Sequence, residues 1–196
     1  LGYIMGFLQT GYFYGKLFKG IDVRNYGSGN AGTTNTLRTL GKPAGYIVFL
    51  GDALKAVFAV WIVRYLLFPG LGDVTKILET VTALGVVIGH NYPFYMHFKG
   101  GKGIAATGGF MFALDVRIAL IAAIVFAVVF FTTRYVSVGS LTITALFPIL
   151  MLIFYPGQWV VFGLSLIFTA LAWWRHRANI KRLMNGTENK FEKKKR

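Results

Sequence analysis

Seven apolar runs, separated by short polar or glycine-rich segments, account for most of this chain. A helix needs ~20 apolar residues to cross a bilayer core. Hydrophobic residues make up 55% of the 196 residues and charged residues only 14%, whereas a soluble domain of this length needs far more polar surface. The sequence therefore predicts an all-α polytopic membrane protein. The runs lie at about residues 1–18, 44–68, 77–98, 103–114, 116–133, 141–154 and 158–174.

The number of crossings depends on two short breaks. The triplet DVR, Asp115 to Arg117, separates the fourth and fifth runs, and the Pro-Gly turn of YPGQ separates the sixth and seventh. Ignoring both breaks gives five spans; we predict seven, with the shortest partly shielded by protein or thinning the bilayer. Because the chain begins at Leu1 and its first run contains Gln9 and Thr10, we expect residues of the first span to be missing.

The basic residues predict the orientation. Seventeen of the 21 Lys and Arg residues fall in alternate connections and after the last run, which places them all on one side of the membrane. Short loops rich in Lys and Arg remain cytoplasmic. We therefore predict a cytoplasmic C-terminus and an external N-terminus.

The same distribution explains the net charge of +14 without a nucleic acid partner. We predict one integral membrane domain over residues 1–196, in which 183–196 form a basic cytoplasmic tail that contacts anionic lipid headgroups. The chain has no cysteine, which excludes disulfides and thiolate chemistry. We expect neither a cofactor nor a metal site, because no ligand cluster is visible.

A segment rich in hydrogen-bond donors, GSGNAGTTN, follows the first run. Glycines let backbone N–H groups turn toward an anion, and small polar side chains add donors. The planar guanidinium of Arg38 suits a phosphate. The alternative is an ordinary interhelical loop with an arginine that serves topology. The predicted phosphate ligands of this first loop are Gly27, Gly29, Asn30, Thr33 and Asn35, and Ser28 and Arg38 are predicted to be catalytic.

A second loop lies in FKGGKGIAATGG and opens a helix, so that the positive end of the helix dipole would face a ligand. It is not a Walker A motif, because Gly103 follows Lys102 where Ser or Thr is required. Nucleotide hydrolysis is therefore not indicated. The alternative is a pair of lysines that serve topology before a glycine-rich helix start. The predicted ligands are Lys99, Gly100, Gly101, Lys102 and Gly103.

The third polar segment, RHRANIKRL, follows the last run. His176 and Asn179 are three residues apart, which predicts that they share one helical face. The histidine can accept or hold a proton near neutral pH, and the amide can orient it or bind a substrate hydroxyl. The alternative for His176 is an interfacial histidine beside two tryptophans.

Three polar residues lie within or at the end of apolar runs. Asp52 and Lys55 are three apart and are predicted to form an intrahelical pair, although charges inside a span can also be functional. His90, followed by Asn91, Tyr92 and Pro93, reads as a helix-ending cluster with its hydrogen bonds satisfied.

All three loops fall on the predicted cytoplasmic side, so we predict that they converge on one active site. The seven acidic residues are scattered and offer no carboxylate pair for acid–base catalysis. A reaction that needs little proton transfer from the protein, on an activated substrate such as a mixed anhydride, fits best. Three other classes of protein fit the sequence less well. A transporter would place its polar groups near the bilayer centre, whereas here they cluster at one surface. A scaffold protein would not need glycine-rich loops, and a CDP-alcohol phosphotransferase would need an aspartate-rich metal motif, which this sequence lacks.

Three segments in order resemble the cytoplasmic motifs of the bacterial acyl-phosphate:glycerol-3-phosphate acyltransferases, the PlsY family. They are GSGNAGTTNTLRTLG, GHNYPFYMHFKGGKG and RHRANIKRLMNGTE, and the similarity runs from about Lys16 to Glu188. The stretch GFLQTG, Gly6 to Gly11, departs from the family's usual GSIPFG.

The resemblance implies a seven-helix enzyme of the bacterial plasma (inner) membrane with a cytoplasmic active site. Such enzymes transfer a fatty acyl group from acyl phosphate to the 1-position of glycerol 3-phosphate, giving lysophosphatidic acid and phosphate for phospholipid synthesis. They do not use acyl-CoA or acyl carrier protein, and they depend on the enzyme that supplies acyl phosphate.

The resemblance also assigns residues. Ser28 and Arg38 match important residues of the first motif, Gly100, Gly101 and Gly103 match the loop associated with acyl phosphate, and Glu188 matches a structural glutamate. His176 and Asn179 match the family's histidine and asparagine and are predicted, like Ser28 and Arg38, to be catalytic. Two questions stay open: whether Ser28 is a nucleophile or a binding residue, and whether His176 or the acyl phosphate takes the proton.

Overall fold

Apolar helices form nearly all of the computed structural model, which describes residues 1–191; no strand occurs within that range. This confirms the all-α fold class. The last five residues, part of the predicted basic tail, lie outside the described residues. The helices are α1 (Gly2–Gly6), α2 (Thr10–Lys19), α3 (Thr33–Leu40), α4 (Lys42–Trp61, continued by a π-helical turn Ile62–Leu67), α5 (Asp73–Asn91), α6 (Ile104–Leu114), α7 (Val116–Thr133), α8 (Val136–Phe154), α9 (Trp159–Arg175) and α10 (Arg177–Met184).

Within residues 1–191, three helical segments are long and apolar enough to cross a membrane: Lys42–Leu67, Val116–Thr133 and Val136–Phe154. Two further apolar helices, Ile104–Leu114 and Trp159–Arg175, are shorter. The predicted first run forms two helices, α1 and α2, with a break between them at residues 7–9. The count of seven crossings and the sidedness of the termini stay predictions.

The chain divides into two compact units, Leu1–Val116 and Arg117–Arg196. In the first unit, α4 packs against α3, α5 and α6, and α1 packs against α5. Glycine makes the last contact close: a Cβ atom on Gly6 or Gly89 would overlap a backbone carbonyl oxygen of the facing helix. Small residues at such contacts let helix backbones pack closely where no water competes. The single-domain organisation predicted for residues 1–196 stays a prediction.

The break between α1 and α2 exposes backbone carbonyls that need donors. The ammonium of Lys55 on α4 donates to the carbonyl of Leu8 over 2.7 Å, and the hydroxyl of Tyr95 donates to the carbonyl of Phe7 over 2.6 Å. The break is therefore held by side chains from elsewhere in the first unit.

In the part of the chain that the structure describes, charged residues of the apolar runs form ion pairs within α4 and between α4 and α5. Lys55 contacts Asp52 over 2.8 Å within α4, and both side chains are at least 95% buried, which confirms the predicted intrahelical pair. Arg64 donates through Nε and Nη2 to the two carboxylate oxygens of Glu79, over 2.6 and 2.7 Å. This second pair joins the end of α4 to α5 in a bidentate geometry.

In the second unit, α8 packs against α9. Pro148 lies inside α8 and cannot donate to the carbonyl of Thr144, four residues earlier. The hydroxyl of Thr169 on α9 donates to that carbonyl instead, over 2.7 Å. Phe147 and Phe168 pack edge to face beside it, with ring centroids 5.9 Å apart. A neighbouring helix thus satisfies the polar group that the proline leaves unpaired.

Candidate active site

The first loop is organised from behind by the buried side chain of Asn35 in α3. Its carboxamide oxygen accepts from the backbone N–H of Ser28 over 2.7 Å. Its amide nitrogen donates to the carbonyls of Val23 and Tyr26, over 2.8 and 3.0 Å. Both N–H bonds of the amide are therefore engaged within the loop. Asn35 thus shapes the loop that carries Ser28, and its predicted contact with phosphate stays a prediction.

The remaining predicted residues of this loop differ in exposure. Ser28 and Arg38 are exposed, as an incoming ligand requires. The carboxamide oxygen of Asn30 accepts from the N–H of Gly32 over 2.9 Å. Gly27 and Gly29 have φ angles of 58° and 70°, which a glycine adopts without strain. The hydroxyl of Thr33, at the start of α3, is buried and has no hydrogen-bond partner among residues 1–191.

The second loop is built onto the C-terminal end of α5. The N–H of Gly101 donates to the carbonyl of His90 over 2.9 Å, and the N–H of Gly100 donates to the carbonyl of Asn91 over 3.1 Å. These bonds satisfy carbonyls that the end of α5 leaves without helical partners. The loop conformation therefore depends on two residues at the end of α5, His90 and Asn91, that precede it in the chain.

The second loop then leads into α6. Gly103 is the N-cap of this helix and has a φ of 78°. The first N–H groups of a helix have no helical acceptor, and Gly103 provides no side chain to cap them. Lys99 is exposed and Lys102 is half-buried. Positive charge, a helix N-terminus and glycine backbone are therefore found in one loop, as anion binding requires.

Arg24 links the two loops. Its Nη1 donates to the carbonyls of Met96 and Lys99, over 3.2 and 3.4 Å, while Nε and Nη2 contact the carboxylate of Asp22. The guanidinium also lies over the ring of Tyr12, with 5.3 Å between its central carbon and the ring centroid. The hydrogen bond from Arg24 lowers the pKa of Asp22, so the pair stays ionised near neutral pH.

The third polar segment belongs to the second unit. His176 lies between α9 and α10 and is the N-cap of α10, so it precedes the helix that carries Asn179 rather than sharing its face. His176 is 97% buried, and its Nδ1 lies 2.7 Å from the carbonyl oxygen of Ala172. A carbonyl only accepts, so Nδ1 carries a proton and, in the neutral ring, the lone pair is on Nε2.

Glu188 connects α10 to the start of α8. Its carboxylate accepts from Asn179 Nδ2 over 2.6 Å, from Arg182 Nε over 2.7 Å and from Ser137 Oγ over 2.9 Å. Burial opposes ionisation of this carboxyl, but the three hydrogen bonds outweigh it and hold the pKa of Glu188 below its ordinary value of 4.5. These contacts give Glu188 the geometry of a residue that positions Asn179.

In the first unit Arg24, which precedes the first loop, is hydrogen-bonded to the carbonyl of Lys99 in the second loop, and in the second unit Asn179 is hydrogen-bonded to Glu188. That all three segments form one site stays a prediction. Two residues of the first unit were not predicted to contribute. Arg24 was attributed to topology, and Asn91, which is fully buried beside Gly103, has no partner for either side-chain polar atom among the described residues.

Comparison with known proteins identifies the class. The glycerol-3-phosphate acyltransferase family model matches residues 1–186. The glycerol-3-phosphate acyltransferase of Clostridioides difficile is 43% identical, with alignment over 100% of this chain and 94% of that protein. The glycerol-3-phosphate acyltransferase 2 of Thermotoga maritima is 41% identical over 97% of this chain and 93% of its own length.

Solved structures agree. The crystal structure of PlsY (YgiH), an integral membrane glycerol 3-phosphate acyltransferase, in its glycerol 3-phosphate form has a TM-score of 0.83 and 37% identity, over 97% of this chain and 94% of that one. Its lysophosphatidic acid form has a TM-score of 0.85 over 97% and 92%. The fold and sequence therefore define a multi-pass membrane acyltransferase that acts on glycerol 3-phosphate. The chain belongs to the PlsY family of glycerol-3-phosphate acyltransferases, which confirms the resemblance seen in its three motifs.

Replacing Asn35 with alanine removes three hydrogen bonds from the first loop. We expect the free energy of unfolding to fall by about 2 kcal/mol, seen as a drop of about 5 °C in the unfolding temperature in detergent. Thr34→Ala is the matched control, because Thr34 is the preceding residue of α3 and its hydroxyl has no partner among residues 1–191. Equal unfolding temperatures for the two variants would show that Asn35 does not hold the loop.

The depressed pKa of Glu188 predicts an acid-sensitive contribution to stability. A carboxyl with a lowered folded-state pKa stabilises the fold above its unfolded pKa, and this contribution is lost as the pH falls through the folded value. We expect the unfolding temperature of the wild type to fall more steeply below about pH 4.5 than that of Glu188→Gln. Parallel curves from pH 7 to pH 3 would contradict this assignment.

Proposed function

We propose that this acyltransferase takes its acyl group from an acyl phosphate and transfers it to the 1-hydroxyl of glycerol 3-phosphate. The products are lysophosphatidic acid and inorganic phosphate. The observation that carries the proposal is the joining of the two glycine loops through Arg24, because it puts two donor-rich segments next to each other and both substrates bear a phosphate. The glycerol 3-phosphate and lysophosphatidic acid forms of the solved relative support the same acceptor and product.

The reaction requires little help with its leaving group. The oxygen of the glycerol 1-hydroxyl attacks the acyl carbonyl carbon and forms the ester bond. The bond between that carbon and the phosphate oxygen breaks, and phosphate leaves with the electron pair. The hydroxyl proton passes to a base, which is either His176 or an oxygen of the departing phosphate.

The proposed roles of the first unit are binding and charge stabilisation. Arg38, Lys102 and Lys99 hold the phosphates and offset charge that develops in the transition state, and the glycine backbone donates to the acyl oxyanion. Ser28 is exposed and has no side-chain hydrogen bond to a base among the described residues. A serine nucleophile needs such a base, so Ser28 is proposed as a donor to phosphate.

The proposed role of His176 is that of the base. Its Nδ1 proton is held by the carbonyl of Ala172, so the neutral ring presents Nε2 as an acceptor for the glycerol hydroxyl. The same residue as an imidazolium would instead donate to phosphate. Asn179, held by Glu188, is proposed to bind the acceptor substrate.

The location proposed for this chemistry is the cytoplasmic face of the bacterial plasma membrane. Seventeen of 21 Lys and Arg residues follow alternate apolar runs, which favours cytoplasmic placement of the loops, and a cationic surface concentrates two anionic substrates. The enzyme would then take its donor from the cytoplasmic enzyme that makes acyl phosphate and release its product into the inner leaflet.

The donor is tested directly with purified protein in lipid nanodiscs. Radiolabelled glycerol 3-phosphate is given with palmitoyl phosphate or with palmitoyl-CoA, and labelled lysophosphatidate is counted. We expect product with palmitoyl phosphate alone, and none from reactions that lack donor or contain heat-denatured protein. Product with the CoA ester alone would refute the proposed donor.

The two roles of His176 are separated by the His176→Ala variant. As the base, its loss should lower kcat at least 100-fold and change the KM for glycerol 3-phosphate less than about threefold. His97→Asn is the control, because His97 is exposed and lies at a φ of 52°, which asparagine tolerates. A rise in KM with an unchanged kcat would make His176 a binding residue and leave the proton to the phosphate.

A further inference from the structure

A buried polar cluster in the first unit contains groups that the proposed reaction does not use. Asp52 and Lys55 lie on α4 and His90 lies in the last turn of α5. Their exposed fractions are 1%, 5% and 3%. Polar and charged groups this deep are costly unless they are fully paired, so their contacts show what the cluster does.

Lys55 makes three contacts, one for each proton of its ammonium group. The acceptors are the carbonyl of Leu8 at 2.7 Å, Asp52 Oδ1 at 2.8 Å and His90 Nδ1 at 2.9 Å. Asp52 Oδ1 also accepts from the hydroxyl of Thr10 over 3.0 Å. The ammonium thus joins the break between α1 and α2 to α4 and to the end of α5.

This arrangement fixes the proton on the imidazole of His90. As an ammonium paired with the Asp52 carboxylate, Lys55 can only donate, so Nδ1 must accept. Asp52 Oδ1 at 3.6 Å is too far from Nδ1 for a hydrogen bond. The ring is therefore neutral, with its proton on Nε2. A neighbour's hydrogen bond commonly sets the tautomer of a histidine in this way.

The protonated edge of His90 faces the second loop. A Cβ atom built on Gly101 would overlap Nε2, with the two adjacent ring carbons as its next nearest atoms. The carbonyl of the same histidine accepts from the N–H of Gly101 and from the side-chain amide of Gln9, over 2.9 and 2.8 Å. His90 therefore meets Gly101 with its backbone and with its ring.

We propose that Lys55, through His90, is a positioning device for the second loop. Lys55 holds the ring with its Nε2–H toward Gly101, and this sets the conformation in which residues 99–103 bind the acyl phosphate. Asp52 balances the charge of Lys55, and Gln9 fixes the same carbonyl from the other side. None of these residues touches the reacting atoms. The inference rests on the proposed role of the second loop in binding the donor.

The variants His90→Gln and His90→Asn distinguish positioning of the second loop from simple neutralisation of the buried Lys55 ammonium. The amide of glutamine reaches the position of Nε2 and keeps a donor toward Gly101. The amide of asparagine reaches the position of Nδ1 and keeps only the acceptor for Lys55. We expect His90→Asn to raise the KM for palmitoyl phosphate at least tenfold, with the KM for glycerol 3-phosphate unchanged, and His90→Gln to stay within about threefold of wild type.

The opposite order overturns the proposal. If the cluster only neutralises a buried ammonium, His90→Asn will resemble the wild type and His90→Gln will be the damaged variant. Effects on both KM values that follow the loss of thermal stability would also mean a structural role alone.

A double-variant cycle gives a second test with a control in the same loop. The Cβ of Gly101→Ala meets the ring of His90, which His90→Ala removes, whereas the Cβ of Gly100→Ala meets the backbone carbonyl of His90, which His90→Ala leaves in place. We expect Gly101→Ala to lower kcat/KM at least tenfold in the wild type and less than threefold in His90→Ala. Gly100→Ala should lower kcat/KM by the same factor in the wild type and in His90→Ala. Additive effects of Gly101→Ala and His90→Ala would refute the contact between Gly101 and the ring of His90.

The tautomer itself is measured without turnover. The chain has three histidines, so ¹⁵N spectra of the labelled protein can be assigned by comparison with His97 and His176 variants. A protonated Nε2 and an unprotonated Nδ1 are expected for His90, and Lys55→Met should alter this pattern. Any other tautomer of wild-type His90 overturns the inference. If the wild type transfers no acyl group from any donor, the proposed function fails, while the spectra and the same double-variant cycle read as unfolding temperatures still decide whether His90 holds the loop.

Discussion

The first unit depends on one ammonium group that ends in the protein interior. Where α1 breaks before α2, a backbone carbonyl loses its helical donor, and in a membrane-embedded fold water is not at hand to replace it. Lys55 supplies that donor and contacts Asp52 and the ring of His90 at the same time. The charge is tolerated because all of its protons have acceptors and a carboxylate lies beside it. One side chain thereby ties three helical segments together below the glycine loops.

The two glycine-rich loops of the first unit are held by contacts from outside themselves. Asn35 supports the first loop from α3, the carbonyls at the end of α5 support the second, and Arg24 bridges the two. A glycine backbone can turn its N–H donors toward a phosphate. The same conformational freedom makes a glycine-rich loop costly to order unless other groups restrict it. The rigid partners around these loops supply that restriction, and an ordered loop can hold a bound substrate in a reactive arrangement.

Local patterns in the sequence were enough to predict the helices, one buried ion pair and the family. Apolar length predicted the helices, the i, i+3 spacing predicted the pair of Asp52 and Lys55, and three motifs indicated the family. Contacts between distant segments left no such signal. Nothing in the spacing shows that Arg24 reaches the carbonyl of Lys99, that Asn35 turns inward, or that Lys55 reaches His90. Such contacts arise from packing of whole helices, which a local pattern does not encode. The helix break at His176 was missed for the same reason.

The pairing of Pro148 with Thr169 restricts how the second unit can change. The hydroxyl of Thr169 serves a carbonyl 25 residues away in the chain, and that carbonyl needs it because a proline occupies the next turn of α8. A replacement for the threonine that lacks a donor is therefore tolerable only alongside a residue with an N–H at position 148. The two positions are therefore coupled in evolution, and the order in which they are substituted decides whether the intermediate sequence keeps a donor for the carbonyl of Thr144.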